Sequence, residues 1–467
     1  MLFFCLLCVK TQLIYSDNEE SIGFDEMVHE EKNNTLKSGL IAAGETLFGN
    51  LVLMSYNVIA LRAETWAVPN YDSIYGNFHS DWDWERGDGY IVNQFGHPVQ
   101  GSVYFNAGRV NGFTFYESIF FNVFGSFTWE AFGEAGHASM NDFITTATAP
   151  ISIGEMLYRL YIEACTAGVP SLLAALFNPV AGFHRLVTDW EPPDYGKRIY
   201  QFQAFLGTGF ANTKYATSKN NYFPDAFSFF GIFTELGISI IYGNPFLQES
   251  RTPYDHFELD FSMGLNPGSY LNLTFLSDGY LVSFCPLDTD NNMMSTGLSL
   301  HLDFRSRGEM AGNYTTIDQY SNALDWSVKY QHLFSEDFSF QLKFHAGFTL
   351  MGVSVYYSPQ NNDHHNNNYG IGINEKCAII LDHKKLGKLD MSVYHYLIWS
   401  FQNPGINDNS KGNVNWLFAD ITYSHFITKR ISLGITGSFA WEWGLYSDFP
   451  DTRKSNREVK VFAAWNM

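Results

Sequence analysis

The segment Leu298-Ser299-Leu300-His301-Leu302-Asp303-Phe304 sets a large apolar side chain at every second position, with Ser, His and Asp between them. A period of two sends alternate side chains to opposite faces of a strand, whereas a helix of period 3.6 would scatter these residues around its circumference. The same alternation recurs through the carboxy-terminal part of the chain. Phe257, Leu259, Phe261, Met263 and Leu265 alternate with Glu258, Asp260, Ser262 and Gly264, and Phe338, Phe340, Leu342 and Phe344 with Ser339, Gln341, Lys343 and His345. Ile431, Leu433, Ile435, Phe439, Trp441 and Trp443 share one face of a single segment, and Val459, Val461, Ala463, Trp465 and Met467 close the chain on one side.

Short turn segments such as Asn266-Pro267-Gly268, Ser335-Glu336-Asp337 and Asp382-His383-Lys384-Lys385 separate these runs, alternating with longer polar ones such as Tyr357 to Tyr369. Residues 198–467 then divide into about twelve strands with short turns at one end and long loops at the other, the habit of an outer-membrane barrel. A soluble sandwich or a lipocalin-like barrel would carry the same alternation with its apolar face inward. Strand length, aromatic residues near strand ends (Tyr254, Trp399, Trp416, Trp443, Trp465) and charges within strands on the opposite face favour lipid outside and a polar lumen. The expected architecture is α + all-β: a helix-rich amino-terminal module followed by an antiparallel transmembrane β-barrel.

Composition agrees. Aromatic residues make up 17% of the 467 positions and charged residues only 16%, against roughly 25% charged in ordinary soluble domains, so much of the surface meets something other than water. The formal charge of −20 excludes nucleic acid as a partner, because phosphate neutralisation needs clustered Lys and Arg. No stretch is continuously apolar over the length of a transmembrane helix, and Leu36 to Leu61 is interrupted by Glu45, Asn50 and Asn57. A membrane-spanning form of this chain must therefore be a closed sheet. Residues 1–16 read as a secretory signal peptide and 17–35 as an acidic flexible segment. Cys165, Cys285 and Cys377 are far apart and odd in number, and give neither a metal spacing nor a disulfide framework.

Residues 36–190 form a separate module in which helical and small-residue patterns replace alternation. Helices are expected over Leu36 to Leu61, Gly101 to Asn111 and Tyr116 to Glu134, and from Ser139, with Asp142 three residues on as a capping box. Pro150 should divide that last helix. Asp81-Trp82-Asp83-Trp84 could hold calcium or a sugar, or be a solvated loop docked by its tryptophans; His364 and His365 sit among asparagines in a long loop.

Polar residues are dense among aromatics from Asp81 to Arg159. The elements Asn93-Gln94-Phe95-Gly96-His97-Pro98, Tyr104-Phe105-Asn106-Ala107-Gly108-Arg109 and Trp129-Glu130-Ala131-Phe132-Gly133-Glu134, with Ser139 to Asp142 and Gly154 to Leu160, resemble an uncharacterised bacterial family of exported proteins, domain of unknown function 3943. The resemblance runs from about Leu36 to Val187 and departs at Val99 and at Gly136-His137-Ala138. It implies an outer-membrane location and supplies no activity.

Two readings of these residues stand side by side. In one, His97, expected in a turn bounded by Pro98, and Glu130 and Glu134, four apart on a helix, act as acid, base or metal ligands of a membrane-embedded hydrolase working on an envelope lipid or glycan. In the other, Asn93, Gln94, Ser102, Asn106, Arg109, Asn141, Asp142, Glu155 and Arg159 form a buried polar network tying helices together, with Arg109 or Arg159 paired to Glu130, Glu134 or Glu155. The second is favoured, with the module plugging or capping a barrel that serves transport or envelope organisation. No cofactor and no metal site is expected. The expected partners are outer-membrane lipid and the barrel-assembly machinery.

Overall fold

The computed structural model describes residues 36–59, 68–84, 89–219, 222–246, 252–265, 271–307, 317–357, 365–401, 412–447 and 450–467. The signal peptide, the acidic segment, Asn266-Pro267-Gly268 and His364 lie outside the described residues. The chain divides into two compact units at Arg198/Ile199.

The first unit is helical: α1 (Leu36–Ile59), α2 (Tyr71–His79), α3 (His97–Val110), α4 (Phe115–Phe132), α5 (Met140–Thr148), α6 (Pro150–Thr166), a single turn α7 (Ser171–Ala174) and α8 (Pro179–Val187). Side-chain caps mark the starts of four of these helices. Asn70 and Thr114 make reciprocal capping boxes with Ser73 and Glu117, and the Asn178 side chain accepts from Ala181 N–H at the start of α8. Pro150 divides α5 from α6, as expected.

The structure corrects the placement of His97. The residue does not sit in a turn: Val92–Gly96 is a short π-helical stretch running straight into α3, with His97 as the first α-helical residue and Pro98 in the first turn, where its missing N–H costs no hydrogen bond.

The second unit is a closed barrel of twelve strands, all antiparallel to their neighbours: β1 (Ile199–Lys219), β2 (Tyr222–Tyr242), β3 (Phe257–Leu265), β4 (Leu271–Asp288), β5 (Asn292–Arg307), β6 (Ile317–Ser335), β7 (Phe338–Tyr357), β8 (His365–His383), β9 (Gly387–Ser400), β10 (Gly412–Phe426), β11 (Ile431–Tyr446) and β12 (Thr452–Asn466). Each strand pairs with the next, and β12 returns to β1 with Phe210 opposite Val459 and Leu206 opposite Ala463, so no edge is left to template aggregation. Turns at 289–291, 336–337, 384–386 and 427–430 share one end with both barrel termini. At the other end β3 leads on to β4, β5 to β6, β7 to β8, β9 to β10 and β11 to β12.

Period-two alternation settles the two faces. Leu206, Phe210, Trp326, Phe344, Phe348, Val393, Ile421, Leu433, Ile435, Val459 and Val461 point outward and are exposed, an apolar exterior. The alternate residues meet across the lumen. Trp416 and Tyr254, expected among exposed aromatics at strand ends, are fully buried. Trp416 lies inside the barrel with Tyr396, Ile398, Val414, Phe418 and Ala440, its indole N–H donating to Glu442 Oε2 at 3.1 Å. Tyr254, at φ 65°, covers Gly279, where any Cβ would come within 2.2 Å of the ring.

Candidate functional site

Two buried polar networks occur, one in each unit. In the helical module the first centres on Glu155 of α6, which is fully buried. Arg109 Nε of α3 lies 2.8 Å from Glu155 Oε2, and Arg159 Nε, one turn along α6, lies 2.9 Å from Oε1. Arg109 also donates from Nη1 to the Phe113 carbonyl at 2.8 Å and stacks its guanidinium on Tyr158. Two cations share one carboxylate, and the aromatic faces of Tyr158 and Tyr195 help to hold the surplus positive charge. Asn106 extends the network, donating to the Ser102 and Gly154 carbonyls and accepting from Asn178 Nδ2 at 2.6 Å.

The second part of the module's network answers the question of the catalytic candidates. His97 Nδ1 lies 3.1 Å from the Thr146 hydroxyl and His97 Nε2 lies 3.7 Å from Asp142 Oδ1. Asp142 accepts from Asn141 Nδ2 at 2.7 Å, and Asn141 Oδ1 accepts from the Ser139 hydroxyl at 2.9 Å. Ser139 Oγ accepts the Asp142 N–H, the expected cap. The reciprocal half of the box comes from elsewhere, because the Ser139 N–H donates to Glu130 Oε2 of α4 at 2.7 Å. Glu134 follows the end of α4 and accepts from the Trp129 indole at 2.8 Å. Burial pushes the Asp142 carboxyl up to about 6 against the pull of its bonds to Ser139 and Asn141.

Of the three residues read as acid, base or ligand, Glu130 thus caps a helix, Glu134 holds a tryptophan, and His97 meets Asp142. No group of three or more His, Cys, Asp or Glu with metal-holding geometry exists among the described residues. Asn93 and Gln94 are buried in the π-helical stretch. Asp83 forms a bridge with Ser139, while Trp82 donates to the Asn77 carbonyl and stacks on Phe127, so this run is docked by its tryptophan. Among the described residues, Cys165, Cys285 and Cys377 form no disulfide and are half-buried.

The lumen of the barrel holds the second network, which the sequence displayed as a polar face without revealing who meets whom. Lys329 of β6 places Nζ 2.8 Å from His256 Nε2, Glu258 Oε1 of β3 and Asp278 Oδ1 of β4. Lys343 of β7 reaches Glu258 Oε2 at 2.6 Å. Lys376 of β8 pairs with Asp303 of β5 and lies 2.8 Å from His301 Nδ1; Asp303 also accepts from the Tyr396 hydroxyl at 2.9 Å.

Nearer the long-loop end, Arg307 of β5 pairs with Glu458 of β12 at 2.8 Å, and Lys454 of β12 bonds both Glu442 and the Val355 carbonyl of β7. Pairs between strands so far apart in the ring can form only through the interior. They cross the lumen at several levels, and beside Arg305, Arg307, Phe418 and Glu458 the space left is about 10 Å³, room for a single water.

An apolar exterior around a closed strand ring, with charged groups paired inside, defines a transmembrane-type β-barrel. The module places the chain further: residues 81–180 match the family model described as a domain of unknown function, DUF3943, a narrower span than the resemblance read from Leu36 to Val187. Among solved structures, the chain is similar to an outer membrane channel from Pseudomonas putida F1, at 12% identity over 59% of this chain and 99% of that one with TM-score 0.30. It is also similar to the outer membrane protease OmpT from Escherichia coli (8% identity, 57% and 97% covered, TM-score 0.24) and to the KdgM porin (10%, 55% and 98%, TM-score 0.22). At these scores the likeness carries no conclusion about activity, and the barrel assignment rests on the strand order itself. No curated protein matches the chain.

Proposed function

We propose that this protein is an integral outer-membrane barrel that passes small polar solutes through a gated lumen, with the helical module as its accessory. The observation that carries the reading is the set of ion pairs spanning the lumen, Lys329 with Glu258 and Asp278, Lys376 with Asp303, and Arg307 with Glu458. A barrel interior filled for rigidity alone is served by apolar side chains, and replacing buried ion pairs by well-packed apolar groups is often neutral or stabilising. Charges kept in matched pairs give a path that is shut when paired and hydrophilic when parted. The same reading makes outer-membrane lipid the barrel's surroundings and the barrel-assembly machinery its route into place.

The test is conductance of the full chain in planar bilayers. Wild-type protein should conduct little at rest, and the Arg307→Ala and Lys376→Ala variants should open more often or to a higher level. Absence of conductance in both variants, with the barrel intact by its heat-dependent gel mobility, would sink the proposal.

A further inference from the structure

Two helices of the module, α1 and α4, turn polar residues inward and large apolar ones outward. On α4 the buried positions include Ser118, Asn122, Ser126 and Glu130, spaced four apart along one stripe beside the buried rings of Phe115, Phe121 and Trp129, while Tyr116, Phe120, Val123 and Phe127 lie outside. Ser126 donates to the Phe143 carbonyl at 2.9 Å, so the inward stripe is bonded to α5. Helix α1 repeats the pattern. Ala42, Thr46 and Asn57 are buried, Glu45 bonds His184 at 2.6 Å and Asn111 at 2.7 Å, and Asn50 donates to Gly125 and Thr128. Its outer side presents Leu40, Leu47, Leu51, Val52, Tyr56 and Ile59, with Leu51 52% and Phe120 of α4 65% exposed. The charged residues of α1 are Lys37, at its start, and the inward Glu45. Soluble helices put the apolar stripe inward and the polar one out; helices surrounded by lipid do the reverse, because an unsatisfied polar group costs most where water is absent.

Packing between the helices gives a second, independent sign. The crossings are made at glycines: a Cβ on Gly125 would come 2.4 Å from the Tyr104 ring, on Gly101 2.3 Å from the Thr146 carbonyl, on Gly154 2.7 Å from Phe105, and on Gly49 2.9 Å from Val103. Backbones brought together over small residues, with polar side chains bonded across the gap, are how helices associate where apolar burial supplies no drive, since lipid is as apolar as leucine. Helix α1 has 24 residues, about 36 Å at 1.5 Å per residue, and is long and apolar enough to cross a membrane.

We propose that the outward face of α1 and α4 is a lipid-binding surface, seated among phospholipid acyl chains rather than in water or under another protein. A protein groove would need only one apolar stripe; here two helices share the inversion, and their polar groups are bonded within the module. The inference rests on the reading of the barrel as membrane-embedded, and the test keeps the two apart.

In the full chain with its five cysteines replaced by alanine, single cysteines at Leu51→Cys, Phe120→Cys, Val461→Cys on the barrel exterior and Lys384→Cys in a short turn carry a bimane label. Each variant is reconstituted in phosphatidylcholine vesicles and accepted only if it keeps its heat-dependent gel mobility. Lipid brominated along the acyl chain should lower emission about two-fold at 51, 120 and 461 while iodide leaves them bright, because the bromines lie in the hydrocarbon layer. Position 384 should show the opposite pattern. Iodide quenching at 51 and 120 would place the face in water and overturn the inference. Response to neither quencher there, with 461 answering to lipid, would mean protein covers it and would equally overturn it, as would lipid quenching at only one of the two helices. If 461 also ignores the brominated lipid, the barrel reading falls with it.

Discussion

At the scale of single residues, what decides the module's chemistry is how each buried charge is neutralised. Glu155 holds Arg109 and Arg159 together, so Glu155→Ala would take from two buried guanidinium groups the carboxylate that they share. Removing one partner of a buried pair costs about 3–5 kcal/mol, and the helical far-UV signal of the module should melt earlier by a corresponding amount. Asp142 gives a pH dependence with a definite sign. Its folded carboxyl sits at about 6 against an ordinary 3.8, so the folded state holds its proton more tightly than the unfolded one. Stability from this group is therefore fully present below the unfolded value and falls as pH rises through about 6, by on the order of 2–3 kcal/mol. In the Asp142→Asn variant, which keeps the bond partners of Asp142 but not the titration, the fall in module melting temperature between acid and neutral pH should be smaller; an unchanged profile would show that another group sets it.

The same scale separates the carboxylates once paired by spacing. Glu130 accepts the Ser139 N–H in a buried place, and Glu134 accepts an indole at the helix end. Glu130→Ala should cost the module on the order of 1–3 kcal/mol, the penalty of a buried donor left unmade, and Glu134→Ala distinctly less. His97→Ala should lower stability along with Glu130→Ala. Loss of an envelope-lipid or glycan hydrolysis activity at unchanged melting temperature would instead support the acid and base reading.

At the scale of elements, strands were the more legible half. Alternation in Leu298 to Phe304 marks β5, and it puts Ser299, His301 and Asp303 on one face before any partner is known. The turns at Ser335 to Asp337 and Asp382 to Lys385 follow from clusters of polar residues between apolar runs. Helices were read from caps and breakers, and Ser139 and Pro150 served well because each acts within one or two turns. His97 was misplaced because Pro98 reads as a turn, yet at the first turn of a helix proline is at home. The inverted stripes of α1 and α4 were hidden for a different reason. Ser118, Asn122 and Ser126 look like an ordinary solvated face, and only packing shows which stripe is inside.

At the scale of the whole molecule, closure is what the barrel's stability depends on. Glu258 is met by Lys329 and Lys343 at once, so Glu258→Ala leaves two luminal cations without their shared partner. The temperature at which the folded, fast-migrating form converts to the unfolded one on a detergent gel should drop clearly, while Lys384→Ala, which removes an exposed pair with Asp337, should leave it unchanged. Equal effects would mean that the luminal pairs contribute no more than surface ones.

Backbone period and local turn chemistry, acting within a few residues, were enough to read the chain after Arg198 as a succession of strands, to tell which side chains share a face, and to place short turns. Only the tertiary structure decided that the polar face is a crossed lumen, that Lys376 answers Asp303 and Arg307 answers Glu458, and that Glu130 completes a cap begun nine residues away. Partners on distant strands are brought together by the ring's closure and register, and no local pattern carries that information.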